Sequence, residues 1–152
     1  MVFLYEAIKM RYIITILCLI ACNVAVAIEP QHILVGSPTA TYYDGDGVVL
    51  GRTRLENDTI IVYDRNVFSG KVKLGRIVEF KNQGGALTGR AEKSGSRTQI
   101  YNKNGALAAT IERSGSTALF KSAGGRLIGK AKISSGITRF EDADGNYIGK
   151  KQ

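Results

Sequence analysis

Gly85, Gly105, Gly125 and Gly145 stand twenty residues apart. Four places after each comes Gly89, Ala109, Gly129 or Gly149, and five places before each comes Phe80, Ile100, Phe120 or Phe140. Leu87, Leu107, Leu127 and Tyr147 fill the slot between the two small residues. Earlier copies are looser and one residue shorter: Gly47 and Gly51 with Tyr42, then Asn66 and Gly70 with Ile61. A fixed period of this size marks a repeat architecture, in which each copy is one supersecondary unit that buries its apolar face only against its neighbours.

The unit is a hairpin. Turn-prone pairs recur about every ten residues, from Asp46-Gly47 and Asn57-Asp58 to Gly84-Gly85, Ser94-Gly95, Asn104-Gly105, Ser114-Gly115, Gly124-Gly125, Ser135-Gly136 and Asp144-Gly145. The pieces between them are rich in β-branched and aromatic residues. No stretch beyond the N-terminal leader carries a helical apolar stripe of useful length. Strand alternation places Leu87, Gly89 and Ala91 on one face and Thr88, Arg90 and Glu92 on the other. The return strands put Phe80, Ile100, Ala118, Phe120, Thr138 and Phe140 on the inner face. Aromatic rings then lie over the bare backbone of neighbouring-strand glycines. The expected fold is all-β: an antiparallel meander of about ten short strands, built from 19–20-residue hairpin repeats and closed as a curled sheet or an up-and-down barrel. The small inner side chains predict a narrow, tightly packed interior.

The copies "YNKNGAL" (Tyr101 to Leu107), "FKSAGGRL" (Phe120 to Leu127) and "FEDADGNY" (Phe140 to Tyr147) resemble the YD repeats of the RHS family, and "VYDRN" (Val62 to Asn66) holds the tyrosine-aspartate pair itself. The similarity runs from about Tyr42 to Lys150. It implies a structural role, because such repeats build β-sheet shells around toxin domains or sit in cell-surface proteins. The copies here are too few to enclose a cargo.

Residues 1–27 read as a secretory signal peptide: Lys9 and Arg11 precede the apolar run "YIITILCLIACNVAVA". "AVA" (Ala25 to Ala27) offers a small-x-small cleavage site, and "LIAC" (Leu19 to Cys22) resembles a lipobox that would leave Cys22 as a lipidated first residue. Either Met1 or Met10 serves as the start. Cys18 and Cys22 are the only cysteines, so cleavage after Ala27 leaves none and excludes disulfide, redox and cysteine-metal chemistry from the folded part. Residues 28–40 hold both prolines without periodicity and read as a linker; residues 41–152 form the β-repeat domain.

Little in the repeats points to catalysis. His32 is the only histidine and reads as a surface residue of the linker, too few for a histidine metal site or triad. Asp44 and Asp46 in "YYDGDG", and the cluster "EDADG" (Glu141 to Gly145), read as turns because calcium-loop ligands do not follow. Gly84-Gly85 and Gly124-Gly125 lack the lysine and helix of a phosphate loop. A glycan or peptidoglycan hydrolase would need two carboxylates, drawn from Asp44, Asp64, Glu92 and Glu112, facing one cleft. We expect no catalytic residue, no metal and no cofactor.

The feature above background is basic, within a formal charge of +8. Arg52, Lys71, Arg90, Lys130 and Lys150 follow the second glycine of their copies, with Thr110 the one break. Arg54, Lys73 and Lys132 stand two places further on, interrupted by Glu92 and Glu112. All face outward by alternation and predict a ladder of positive charge along one side. The expected role is non-enzymatic: an exported protein, periplasmic, secreted or outer-membrane-anchored, that meets an envelope or host protein or an anionic glycan or lipid surface. An inhibitor that occludes an envelope partner is the alternative. Nucleic acid is not expected, because the rings point inward and leave no stacking platform. The mass of the mature N-terminus tests the leader: Ile28 as first residue means simple cleavage, and a diacylated Cys22 means a lipoprotein.

Overall fold

The computed structural model describes residues 28–152; the leader, with Cys22 and both start sites, lies outside the described residues. Twelve strands, β1 (Ala40–Asp44), β2 (Val49–Glu56), β3 (Thr59–Asp64), β4 (Val67–Lys73), β5 (Ile77–Asn82), β6 (Leu87–Ser94), β7 (Arg97–Asn102), β8 (Leu107–Ser114), β9 (Thr117–Ser122), β10 (Leu127–Ser134), β11 (Ile137–Asp142) and β12 (Tyr147–Lys151), run up and down in sequence order. Each pairs antiparallel with its neighbours, and β1 pairs with β12, so the sheet is a closed barrel. The seam is short: Tyr42, Tyr43 and Asp44 face Lys151, Lys150 and Gly149.

The two ends of the barrel use different turns. At one end, two-residue turns such as Asn57-Asp58 and Ser135-Gly136 close β2–β3 and β10–β11. At the other, a polar residue at the end of the incoming strand ties down a longer loop. Asn102 accepts the amide hydrogens of Asn104 and Ala106 on Oδ1, and Asp142 accepts those of Asp144 and Asn146 in the same way. Gly105 and Gly145 then turn through positive φ (81° and 88°), a conformation open to glycine at little cost. The β3–β4 hairpin departs from this plan. Its two-residue turn places Arg65 and Asn66 at positive φ, and the missing residues move the register by one. Gly70 therefore opposes Val62, and Ile61 faces outward between Arg54 and Lys71.

Register confirms the pairing of large with small inner residues. Phe80 opposes Gly89, Ile100 opposes Ala109, Phe120 opposes Gly129 and Phe140 opposes Gly149. Just beyond each pair the register slips by one residue, as at Phe80/Lys81 against Gly89/Leu87. A slip of one residue turns the following side chains to the other face. Leu87, expected inside, consequently opposes Lys81 and is 46% exposed, and Tyr147 is 38% exposed. Backbone proximity gives the glycines a second reason. A Cβ on Gly129 would sit 2.8 Å from the Glu141 carbonyl oxygen and 3.6 Å from Phe120 Cδ2. On Gly70 it would press harder still on the Lys81 carbonyl oxygen.

The interior is not filled by the strands alone. An eight-stranded barrel is already about wide enough for its own side chains. Twelve strands carrying Gly51, Gly70, Gly89, Ala91, Ala109, Ala118, Gly129, Ala131 and Gly149 inward leave more room than Tyr42, Ile60, Val72, Phe80, Ile100, Ile111, Phe120 and Phe140 can occupy. The segment expected to be a linker takes that space. Helix α1 (Pro30–Ile33) follows Glu29, with Pro30 at its first turn, where no amide hydrogen is needed. Ile28, Ile33 and Val35 are buried with the strand residues in one core. The chain leaves the lumen at Thr39, whose hydroxyl accepts the Leu55 amide hydrogen. His32, expected on the surface, lies against Phe140 (ring centroids 4.2 Å apart, 34° between planes) and Phe120 (5.5 Å).

Lys151, from the last strand, fixes this plug. It is 1% exposed, and its Nζ donates to the His32 carbonyl (3.0 Å), the Ile33 carbonyl (3.4 Å) and the Tyr42 hydroxyl (3.3 Å). The carbonyls at a helix C-terminus lack internal partners and favour a cation. Burial nevertheless pushes the ammonium down to about 7. Burial, with Lys151 nearby, pushes the His32 imidazole down to about 4. Burial also raises the Tyr42 hydroxyl.

Two outcomes follow from this packing. Gly70→Ala should lower the unfolding free energy by about 1–3 kcal/mol, the usual cost of overpacking. Gly129→Ala should cost less, because its nearest carbonyl is farther; equal losses in urea titrations would contradict this ranking by carbonyl distance. Between pH 6.5 and about 4 the unfolded chain protonates His32 while the folded chain does not. Stability should therefore fall as pH drops through that window, by up to about 1.4 kcal/mol per pH unit. His32→Phe, which keeps a ring on Phe140, should flatten this slope. Lys151 has the same sign in a higher window, so its contribution grows as pH rises from about 7 towards 10.5.

Candidate binding face

All eight ladder residues lie on the outside of the barrel, on β2, β4, β6, β10 and β12. They do not form a ladder along one side. Because the sheet closes on itself, alternate strands about 10 Å apart carry the charges around the girth. A single partner meets only part of such a belt, so its members are not equivalent.

Ion pairing separates them further. Glu141 takes Lys130 and Lys132 on its two carboxylate oxygens, at 2.9 Å and 2.8 Å. Lys132 and Lys130 hold that carboxyl below the usual carboxylate range. Arg90 faces Glu92 at 3.4 Å and stacks 5.1 Å from the Tyr101 ring centroid. Lys121 pairs with Glu112 at 2.5 Å and lowers its pKa. The three ladder cations of β6 and β10 are thus each paired, while Lys93, Arg97, Arg113 and Arg139 on the neighbouring strand positions form no ion pair among the described residues.

The ladder members of the seam side differ from those of β6 and β10. Among the described residues, Arg52, Lys71, Lys73 and Lys150 form no ion pair, and Arg54 pairs only with Glu56 at the end of its strand. Lys73 opposes Glu79 across β4–β5, but Glu79 bridges to Lys81 at 3.0 Å. These five cations lie on β12, β2 and β4, separated by β1 and β3, which contribute the half-buried Thr41, Tyr43 and Tyr63 outward, with Ile61 buried between Arg54 and Lys71. Rings support the cations: Lys150 Nζ is 5.2 Å from the Tyr43 centroid and Lys71 Nζ is 5.9 Å from that of Phe68. Outward rings contradict the expectation that the aromatics all point inward. The sequence signal was the doublet Tyr42-Tyr43, since alternation sends one ring in and its neighbour out.

An open depression of about 470 Å³ occupies the middle of this face, lined by Arg52, Arg54, Tyr63, Thr41, Asn66 and Gln152, among others. Arg54 Nη2 lies 3.5 Å from the Tyr63 hydroxyl. Arg52 has Thr41 and Tyr63 as its two cross-strand neighbours.

The acidic residues considered for hydrolysis are dispersed. Asp44 accepts the amide hydrogens of Asp46 and Val48 in the β1–β2 turn. Asp64 ends β3 in the inner row, opposite Gly51. Glu92 and Glu112 sit on β6 and β8, each paired to a cation. Charged side chains stand outward at mid-strand around the barrel, on strands of five to eight residues, the reverse of the apolar band that faces lipid in a membrane barrel. No described helix is long and apolar enough to cross a membrane. Comparison of the chain with protein-family models, with curated proteins and with solved structures returns no match.

Proposed function

We propose that this chain is a non-enzymatic, exported β-barrel that binds an anionic partner in the cell envelope or on a host surface through the face spanning β12, β1, β2, β3 and β4. One observation carries the reading: of the repeated basic positions, Arg52, Lys71, Lys73 and Lys150 on that face have no carboxylate partner among the described residues, and Lys71 and Lys150 lie by rings, whereas Arg90, Lys130 and Lys132 are each paired to a glutamate. A cation already paired has little left to offer a ligand, and a free one gains from each anion brought to it. The apolar leader ending in small residues supports export. The plugged lumen supports a scaffold role, because the interior is committed to packing and the exterior alone is free for contact.

The test compares two sets of substitutions on the same barrel. Arg52→Gln, Lys71→Gln, Lys73→Gln and Lys150→Gln together should weaken binding to an immobilised polyanion by about tenfold or more, since four exposed contacts contribute about 0.5 kcal/mol each. The dependence on salt should become shallower. Arg90→Gln, Lys130→Gln and Lys132→Gln together should change binding far less, although they remove nearly as much charge. Equal losses from the two sets would mean that net charge alone acts, and the face would lose its special standing.

A further inference from the structure

The depression on the seam face holds more than positive charge. Arg52 and Arg54 lie two residues apart on the outward side of β2, about 6.8 Å along the strand. Glu56, 2.5 Å from Arg54 Nη2, occupies one edge of that guanidinium and fixes its position. Arg52 has no carboxylate among the described residues and keeps its planar fork for a carboxylate, sulfate or phosphate. Beside it stands the half-buried Tyr63 ring, edge-on to Phe68 at 6.4 Å and 70°. Thr41, Asn66 and Gln152 add a hydroxyl and two amides to the lining.

We propose that this depression binds an acidic sugar unit of a glycan. The inference rests on the anionic-partner reading above and names the class of ligand. A small inorganic anion would use the guanidinium but leave most of about 470 Å³, the ring and the amides unused. A pyranose carrying an acidic group uses all of them. Its acidic group meets Arg52, its C–H face packs on Tyr63 by dispersion, and its hydroxyls exchange hydrogen bonds with Thr41, Asn66 and Gln152. Lys150 on β12 and Lys71 on β4 stand on either side of the depression. An acidic chain laid across the strands meets a further cation in each direction. A single-stranded nucleic acid would favour several open stacking rings in a row, whereas here one ring lines the depression.

Calorimetry on the mature chain would compare polygalacturonate, inorganic polyphosphate, dextran and a single-stranded oligonucleotide at one ionic strength. Polygalacturonate should bind tightest and dextran weakest. Tyr63→Ala should weaken polygalacturonate binding about tenfold and leave polyphosphate binding unchanged, Tyr63→Phe should retain most of it, and Arg52→Gln should weaken both. If polyphosphate or the oligonucleotide binds as tightly as polygalacturonate and Tyr63→Ala changes nothing, the sugar site is wrong while the basic face stands. If dextran matches polygalacturonate, the arginine has no role and the acidic-sugar inference falls. If no polyanion binds, the sugar site and the basic face fall together.

Discussion

Closing twelve strands into one barrel creates a volume that the strands' own side chains cannot fill, and the rest of the structure answers that constraint. The inner row is dominated at one level by glycine and alanine, which bring the strands close but leave the centre open. An unfilled apolar lumen would forfeit dispersion contacts along its whole lining. The segment from Ile28 to Thr39 supplies the missing atoms, and Lys151 holds it from the far end of the chain. The two termini of the described fold are thus bound to one another twice, through the β1–β12 pairing and through the lysine that reaches α1.

That double closure also explains why so apolar an interior contains a lysine and a histidine. A buried ammonium is costly unless oxygen atoms surround it. A helix of one turn ending inside the barrel has the opposite need, because its last carbonyls would otherwise lack donors. Lys151 and α1 satisfy one another, and Tyr42 adds a hydroxyl and a ring, with its centroid 5.3 Å from Nζ. The histidine ring fills space between Phe120 and Phe140 and stays neutral at physiological pH. Both basic groups therefore act as packing first, and their protonation opposes folding.

The strand pairs were legible because each copy states the same local physics: a turn residue that tolerates positive φ, an aromatic, and a small residue where a neighbouring carbonyl approaches. Phe120 against Gly129 could be read from spacing alone. The outward turn of Leu87 and Leu127 could not, because it follows from a one-residue slip that alternation does not show. Ile61 was misplaced for a related reason, since its copy has a shorter loop. The plug was illegible for a different reason: four helical residues carry no periodicity, and only barrel closure reveals the space they occupy. Lys151 was missed although a signal for it was present. The same alternation that sent Lys150 outward sends Lys151 inward, so the Lys150-Lys151 doublet announced a buried cation.

Closure reshapes the functional question as much as the packing. On a flat sheet, the repeated basic positions would be equivalent and the ladder would act as a whole. On a closed barrel each strand has its own neighbours, and Glu141, Glu92 and Glu112 pair with Lys130, Lys132, Arg90 and Lys121 but not with the other cations of that side. The seam region escapes because its copies are the irregular ones. β1 carries Thr41 and Tyr43 outward, and β3 carries Ile61 and Tyr63, where β11 places Glu141 opposite Lys130 and Arg139 opposite Lys132. Irregularity in the repeat thus does what repetition cannot: it makes one face chemically distinct from the others. The proposed binding face lies where the copies diverge, and there the ladder cations Arg52, Lys71, Lys73 and Lys150 stand without a carboxylate partner among the described residues.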